Sequence, residues 1–160
     1  MKKLLIVLAF IAAAIQASAQ DAEFPFQGGK DVMIKFFGDN LRATPMIIKN
    51  AATGMVIMKF TADQKGNVIK TIVYYADDPQ LIEPVVAVLK QTSGKWIVPS
   101  GQKSYDFIIP FNIEASAASK EKEEALVQFY KSRQQILTSD QVPLNMVTLL
   151  PSIKLSYKLL

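Results

Sequence analysis

The side chains that can do catalytic chemistry in this 160-residue chain are few. They are its lysines, its serines and four carboxylates close to predicted turns and helix starts, Asp63, Asp77, Asp78 and Glu83. The sequence has no histidine, the commonest general base and metal ligand, and no cysteine for a thiol nucleophile, a disulfide or a thiolate metal site. Turn and cap chemistry explains the aspartates. A serine–lysine pair stays open, although no spacing marks one, and we expect no enzyme, cofactor or metal.

The first twenty residues have the three-part layout of a secretory signal peptide. A basic start, Met1-Lys2-Lys3, precedes an apolar run from Leu4 to Ile15, and Ala17-Ser18-Ala19 forms an A-x-A cleavage site. The run is shorter than the roughly 20 residues that span a bilayer. We predict cleavage of residues 1–19 and a periplasmic protein, secreted or peripheral to the outer membrane. Retention of the segment as an anchor is the alternative.

Charge and composition favour one domain with an extension and no nucleic-acid partner. Half of the chain is hydrophobic, which is enough for a core. Cleavage removes Lys2 and Lys3 from the 18 basic residues, which leaves 16 against 14 acidic ones. A net charge near +2 without a basic cluster does not indicate nucleic-acid binding.

The mature chain alternates helical and strand patterns up to residue 114. Apolar spacing and turn residues predict two helices, Lys30–Leu41 and Glu83–Ser93, and three strands, Met55–Ala62, Val68–Ala76 and Ser104–Glu114. The loop 63–67 carries Gly66 and predicts a hairpin. The order α-β-β-α-β indicates an α+β fold, a three-stranded antiparallel sheet with helices on one face, over residues 20–114.

Residues 115–160 form a predicted C-terminal extension. A helix at about 120–137 places apolar side chains on one side, among them Phe129, Tyr130 and Leu137. Residues 151–160 alternate between apolar and polar side chains, which predicts a half-buried strand with Lys154, Ser156 and Lys158 on its polar face and Ile153, Leu155, Tyr157 and Leu159 on the other.

Residues 24–113 resemble the TonB C-terminal domain family, in the versions common in Bacteroidetes-type envelope proteins. The resemblance rests on motifs in order: "FPFQGGKDVMIKFFGDNL", Gly54, the turn at Asp63 and Gly66, Trp96-x-x-Pro99, Gly101, Tyr105 and "PFNI" from Pro110 to Ile113. Two spacings depart from the family pattern. Trp96 and Pro99 stand one residue further apart than usual, and Thr44-Pro45 comes one position late. The resemblance implies structural roles for Trp96, Pro99, Gly54, Gly66 and Gly101.

Pro110 lies within a predicted strand although proline cannot donate to a sheet ladder, so it favours an edge strand with its nitrogen pointing outward. In the family the last strand is such an edge and accepts a segment of an outer-membrane receptor. The resemblance therefore implies peptide capture by strand addition at 104–114. The expected partner is an envelope protein such as a TonB-dependent receptor, and the expected partner-binding residues are Tyr105, Asp106, Phe107, Ile108, Ile109, Pro110, Phe111 and Ile113.

Three alternatives stay open. Residues 151–160 have the alternation needed to cover this edge themselves, which would make a self-capped structural protein, and edge or tail pairing would give a homodimer. An energy transducer for transmembrane transport needs a retained anchor and a long spacer. About ten residues separate Ile15 from Phe24, and at roughly 3.5 Å per residue they reach about 35 Å. That reach is too short to cross the periplasm.

Overall fold

The computed structural model describes residues 24–116, 119–138 and 146–159. The predicted signal peptide lies outside these ranges. None of the helices in the described ranges is both long and apolar enough to span a membrane. In chain order the elements are α1 (Gly29–Asn40), α2 (Pro45–Lys49), β1 (Gly54–Asp63), β2 (Val68–Ala76), a 3₁₀ turn (Pro79–Leu81), α3 (Ile82–Gln91), β3 (Ser104–Ser116), α4 (Lys120–Ser132), β4 (Ile136–Leu137), β5 (Val147–Leu149) and β6 (Ile153–Lys158).

The predicted α+β class is confirmed, and the sheet is larger than the three strands expected. Its order is β4-β2-β1-β3-β5, and β6 also pairs with β3. β1 pairs antiparallel with both β2 and β3, while β5 and β6 lie parallel to β3. The three added strands all come from the C-terminal extension, so the extension belongs to the same sheet.

The predicted hairpin between β1 and β2 is held by Asp63. Its Oδ1 accepts hydrogen bonds from the N–H groups of Lys65, at 2.9 Å, and Asn67, at 2.8 Å. The Asn67 side chain also donates from Nδ2 to Asp63 Oδ2 at 3.0 Å. This side-chain bond contributes most to the lowered pKa of Asp63, and the two main-chain bonds lower the pKa further. Gly66 takes the left-handed conformation (φ +79°) and accepts the N–H of Gly94 on its carbonyl at 2.8 Å. The turn therefore lies against the loop that follows α3.

Trp96 is at the centre of an aromatic cluster. Its ring lies 4.5 Å from Phe60, 5.4 Å from Phe107 and 5.0 Å from Phe26, measured between centroids. Its Nε1 donates to Thr92 Oγ1 at 2.7 Å, at the C-terminal end of α3. The indole is 2% exposed and joins α3, β1 and β3.

One short helix was not predicted, and one predicted helix ends earlier than expected. Thr44-Pro45 begins a helix, α2, because the Thr44 side chain accepts from the Ile47 N–H and proline suits the first helical position. Helix α4 ends at Ser132, earlier than the predicted 137, because Arg133 is extended. Leu137, expected on the apolar side of that helix, instead lies in β4 and is 70% exposed.

Substitution of two glycines with left-handed backbones, Gly66 and Gly101, distinguishes the cost of backbone strain from the cost of a steric clash. A Cβ on Gly66 would lie 2.3 Å from the Trp96 carbonyl oxygen, whereas one on Gly101 (φ +83°) would have nothing within 4 Å. We expect Gly101→Ala to cost about 1–2 kcal/mol of unfolding free energy, for backbone strain alone. Gly66→Ala should cost more than about 3 kcal/mol. Urea unfolding monitored by Trp96 fluorescence measures both, and equal losses would contradict the close packing of the turn on the Trp96 backbone.

Candidate functional site

The predicted binding edge is occupied by the chain itself, so the expectation of an open edge at β3 is wrong for this structure. On one side, Ser104–Ile113 pair with β1. On the other side, which we call the outer edge of β3, Asp106–Ile108 pair with β5 and Phe111–Ser116 with β6. We call residues 146–159 the tail. The tail covers the edge, as the alternative drawn from its alternating pattern anticipated.

The predicted partner-binding side chains divide between the two faces of the sheet. Four of them are fully buried in the core: Phe107, Ile109, Phe111 and Ile113. On the opposite face Ile108 is 8% exposed, and Asp106 and Pro110 are half-buried. Tyr105, half-buried on the core face, packs its ring 5.2 Å from Phe107. A partner strand at this edge would therefore meet main-chain groups and few of these side chains.

Pro110 lies where the tail ladder is interrupted. The Ile108 carbonyl accepts the Leu150 N–H at 2.7 Å, so Ile108 directs its main-chain groups to the tail. The pairing of β3 with β1 has no bulge, so Pro110, two residues on, faces the same way. β5 ends at Leu149 and β6 begins at Ile153. The missing proline donor thus falls in the gap between the two tail strands.

The β6 half of the tail is firmly anchored. Leu150 and Ile153 are each 2% exposed, and Leu159 is 6% exposed. The Tyr157 hydroxyl donates to the Ala52 carbonyl at 2.6 Å. Burial raises the pKa of Tyr157 to about 12, so the hydroxyl stays a donor at physiological pH.

Two ion pairs lie on the polar face of β3. Lys154 of β6 pairs with Glu114 at 2.7 Å. Near the other end, Lys59 Nζ lies 2.8 Å from Asp106 Oδ2, and Thr61 donates to Asp106 Oδ1 at 2.6 Å. Burial alone would raise the pKa of Asp106, but the bonds from Lys59 and Thr61 outweigh it and keep the pKa below its usual value. The carboxylate at the β5 half of the edge is therefore fixed in its charged form.

The β5 half is held much more weakly. Leu149 is 70% exposed and Met146 is 68% exposed, while Val147 and Thr148 are half-buried. The one side-chain hydrogen bond found between this half and β3 is long, from Thr148 Oγ1 to Tyr105 Oη at 3.4 Å. The tail thus has a loose half at Val147–Leu149 and a fixed half at Ile153–Lys158.

An apolar cleft of about 650 Å³ adjoins the loose half. Its walls are the start of the described chain, the loop after α3 and the first residues of β3. The lining residues include Phe24, Pro25, Ile97, Pro99, Tyr105 and Thr148. Pro99, which the family resemblance marks as structural, is therefore part of the cleft wall.

The sequence candidate Asp77 is a structural junction between the extension and the first two strands. Its carboxylate accepts from the Met55 N–H and the Tyr75 hydroxyl, each at 2.7 Å, and lies 3.4 Å from Arg133. Burial would raise the pKa of Asp77, but these hydrogen bonds and the Arg133 charge hold it below its usual value. A Cβ on Gly54 would lie 2.7 Å from Asp77, which explains that glycine. Asp77 thereby ties the extension to β1 and β2.

Asp78 and Glu83 stand at helix starts. Asp78 Oδ1 accepts the Gln80 N–H at 2.9 Å and caps the 3₁₀ turn, while its Oδ2 accepts the Gln134 N–H of the extension at 3.2 Å. Glu83 lies in the first turn of α3. In the described ranges no cluster of three or more histidine, cysteine, aspartate or glutamate side chains could hold a metal. Every buried side-chain nitrogen or oxygen in the same ranges has a hydrogen-bond partner.

Sequence reasoning missed Asp77, Tyr157 and Glu114 as anchors of the extension. Each of them bonds to a residue at least 22 positions away in the sequence, as Asp77 does to Met55 and Tyr157 to Ala52, so a local pattern does not indicate the partner. The alternation of residues 151–160 was the one signal that could have found Tyr157, since it placed Tyr157 on the buried face. Comparison with protein-family models, with curated proteins and with solved structures finds no match to this chain.

Asp77→Asn should weaken folding in a pH-dependent way. The folded-state pKa is lowered, so the charged carboxylate stabilises the fold above its ordinary pKa, and this contribution disappears as the pH falls through the lowered value. We expect a loss of roughly 1–2 kcal/mol at pH 7 that shrinks below about pH 4. Urea unfolding at several pH values measures it. The exposed Lys35–Asp39 pair supplies the control, Asp39→Asn, which should change stability by less than about 0.5 kcal/mol.

Tyr157→Phe should loosen the fixed half of the tail. It leaves the Ala52 carbonyl without its side-chain donor, which costs about 1–2 kcal/mol. Amide hydrogen exchange should accelerate in β6 and at the β3 amides that face it. Tyr130→Phe, at a side chain that is 51% exposed, is the control. Unchanged exchange in β6 would show that the hydroxyl does not anchor the tail.

Proposed function

We propose that this chain is an exported, non-catalytic protein-binding module of the cell envelope that binds an extended peptide by strand addition on the outer edge of β3. Its own tail is the resident strand, and a partner gains access by replacing the loose half, Val147–Leu149. The observation that carries the proposal is the tail itself. An extended segment already lies on this edge, parallel to β3 and paired with it over Asp106–Ile108 and Phe111–Ser116.

The division of the tail into two halves supports partial exchange. Pro110 offers no donor at the gap, and Leu150-Pro151-Ser152 form no ladder there, so the β5 pairs and the β6 pairs are separate. Release of β5 would uncover the main-chain groups of Asp106 and the N–H of Ile108, while the Ile108 carbonyl would keep its bond from the Leu150 N–H. It would leave the anchors Ile153 and Tyr157 in place, so access to the edge does not require unfolding of the core.

The cellular setting rests on the sequence. The signal peptide pattern at residues 1–19 supports export, and the motif order from Phe24 to Ile113 supports a partner of the kind that TonB-like domains bind, such as a TonB-dependent receptor. No feature of the described residues favours energy transduction.

A self-capped structural protein is the second candidate. The burial of Leu150, Ile153 and Leu159 favours it, because these side chains bind the tail to the domain. The two functions differ in one property, the opening of the β5 half.

Hydrogen exchange tests that opening within one molecule. Even-numbered residues of β3 face the tail, so Asp106 and Ile108 amides report on β5, while Asn112 and Glu114 amides report on β6. We expect at least about tenfold faster exchange at the first pair, because β5 has three residues and few side-chain anchors. Equal protection of both pairs would favour the permanently capped protein.

A reversible lock then tests binding. Ile108 and Leu149 are directly paired and the natural chain has no cysteine, so Ile108→Cys with Leu149→Cys creates a single disulfide across the loose half. We expect peptides from the TonB-box segment of receptors to shift the amides of residues 105–109 in the reduced variant. The oxidised variant should show no shift. Binding that persists after oxidation would place the peptide elsewhere on the domain.

A further inference from the structure

Resting on the proposed strand exchange, we infer that the β5 half of the edge is built to receive an aromatic side chain at the position that Thr148 now holds, with its ring in the adjoining cleft. The partner is thus an extended segment of an envelope protein that carries an aromatic residue at this one position. The resident tail, with threonine there, fills the site poorly and is replaceable.

The position of Thr148 follows from pairing. Thr148 is the direct partner of Phe107, and paired residues in parallel strands place their side chains on the same face of a sheet. Phe107 points into the core beside Trp96. Thr148 therefore faces the same layer, and its hydroxyl lies 3.4 Å from the Tyr105 hydroxyl at the border of the cleft.

The cleft is larger than the side chain that borders it. Its volume of about 650 Å³ lies within the range of small-ligand sites. Threonine contributes one methyl and one hydroxyl group at its border, which leaves most of that space unfilled. The volume is the space that remains beside Leu149 and Leu150, which also line the cleft.

The lining offers several rings that an inserted aromatic side chain could contact. Five of the eleven lining residues carry rings, Phe24, Pro25, Pro99, Tyr105 and Phe107, and four others are aliphatic, Ile97, Val98, Leu149 and Leu150. Tyr105 already makes an edge contact with Phe107 at 5.2 Å, so a further ring would extend a row of tilted aromatic contacts. Val147, the neighbouring tail residue, pairs with Asp106 on the polar face and does not line the cleft.

Substitution within the tail tests the site without any partner. We expect Thr148→Phe to slow hydrogen exchange at the Asp106 and Ile108 amides about tenfold, since the buried ring holds β5 on the edge. Val147→Phe is the matched control and should not slow it. Loss of stability in Thr148→Phe, or equal slowing in both variants, would overturn the inference. Thr148→Leu slowing exchange as much as phenylalanine would show an apolar site without aromatic preference and would also overturn it.

Peptides added to the full-length chain separate this inference from the proposed function. The probes are two nine-residue peptides with the sequence of residues 146–154, one carrying threonine and one phenylalanine at the position of Thr148. Both ideas are supported if the amides of residues 105–109 shift with both peptides and the phenylalanine peptide reaches half of its full shift at a concentration at least about tenfold lower. Equal binding of the two peptides retains strand exchange and removes the aromatic requirement. Slower exchange in Thr148→Phe with no binding of either peptide retains the cleft assignment and removes strand exchange.

Discussion

The arrangement of the C-terminal extension depends on the need to cover the outer edge of β3. A long strand with an unpaired row of N–H and C=O groups attracts any extended chain, and natural proteins cover or disrupt such rows. Here the tail covers the row in parallel, along Asp106–Ile108 and Phe111–Ser116. The extension also reaches the opposite edge of the sheet, where the Thr138 N–H donates to the Tyr74 carbonyl. It shares the core of the domain through Phe129, Leu150 and Ile153.

The same requirement explains why the edge is strong in one half and weak in the other. Pro110 supplies no donor toward the tail, so continuous pairing along the edge is impossible at that point. Beyond Pro110 the tail compensates with buried side chains and the Tyr157 hydroxyl. Before Pro110 it has only short backbone pairing and one long side-chain bond, although Phe107 of the same stretch packs in the aromatic cluster around Trp96. The loose pairing of β5 is the reason why the proposed exchange is assigned to this half of the edge.

The local sequence pattern was sufficient to predict the bounds of the three central strands, but it was insufficient to predict how the C-terminal strands pair with them. The bounds predicted for β2 coincide with those observed, and β1 and β3 differ from prediction by one or two residues, because alternation, Gly66 and the prolines act over a few positions. The alternation of residues 151–160 correctly separated buried Ile153 from exposed Lys154. It allowed these residues to cover the edge of β3, but it carried no information on the parallel direction in which they pair with that strand. Pro110 was correctly interpreted as a residue that cannot donate a hydrogen bond to a neighbouring strand. Two arrangements are compatible with a missing donor, an edge without a neighbour and a neighbouring strand that is interrupted at that position.

The opposite edge of the sheet, at β2, is protected differently from the outer edge of β3. β2 has two irregularities in its pairing with β1, which leave Ile69 and Tyr74 as extra residues. Bulges twist a strand and disrupt the flat row that a partner needs, and the exposed Lys70 adds a charge at the same margin. β4 covers only Tyr75 and Ala76. β3 has no bulge along its ten pairs with β1 and adjoins an apolar cleft. One margin of this sheet is thus protected by distortion and the other by a strand, and only a strand can be exchanged for another of the same shape.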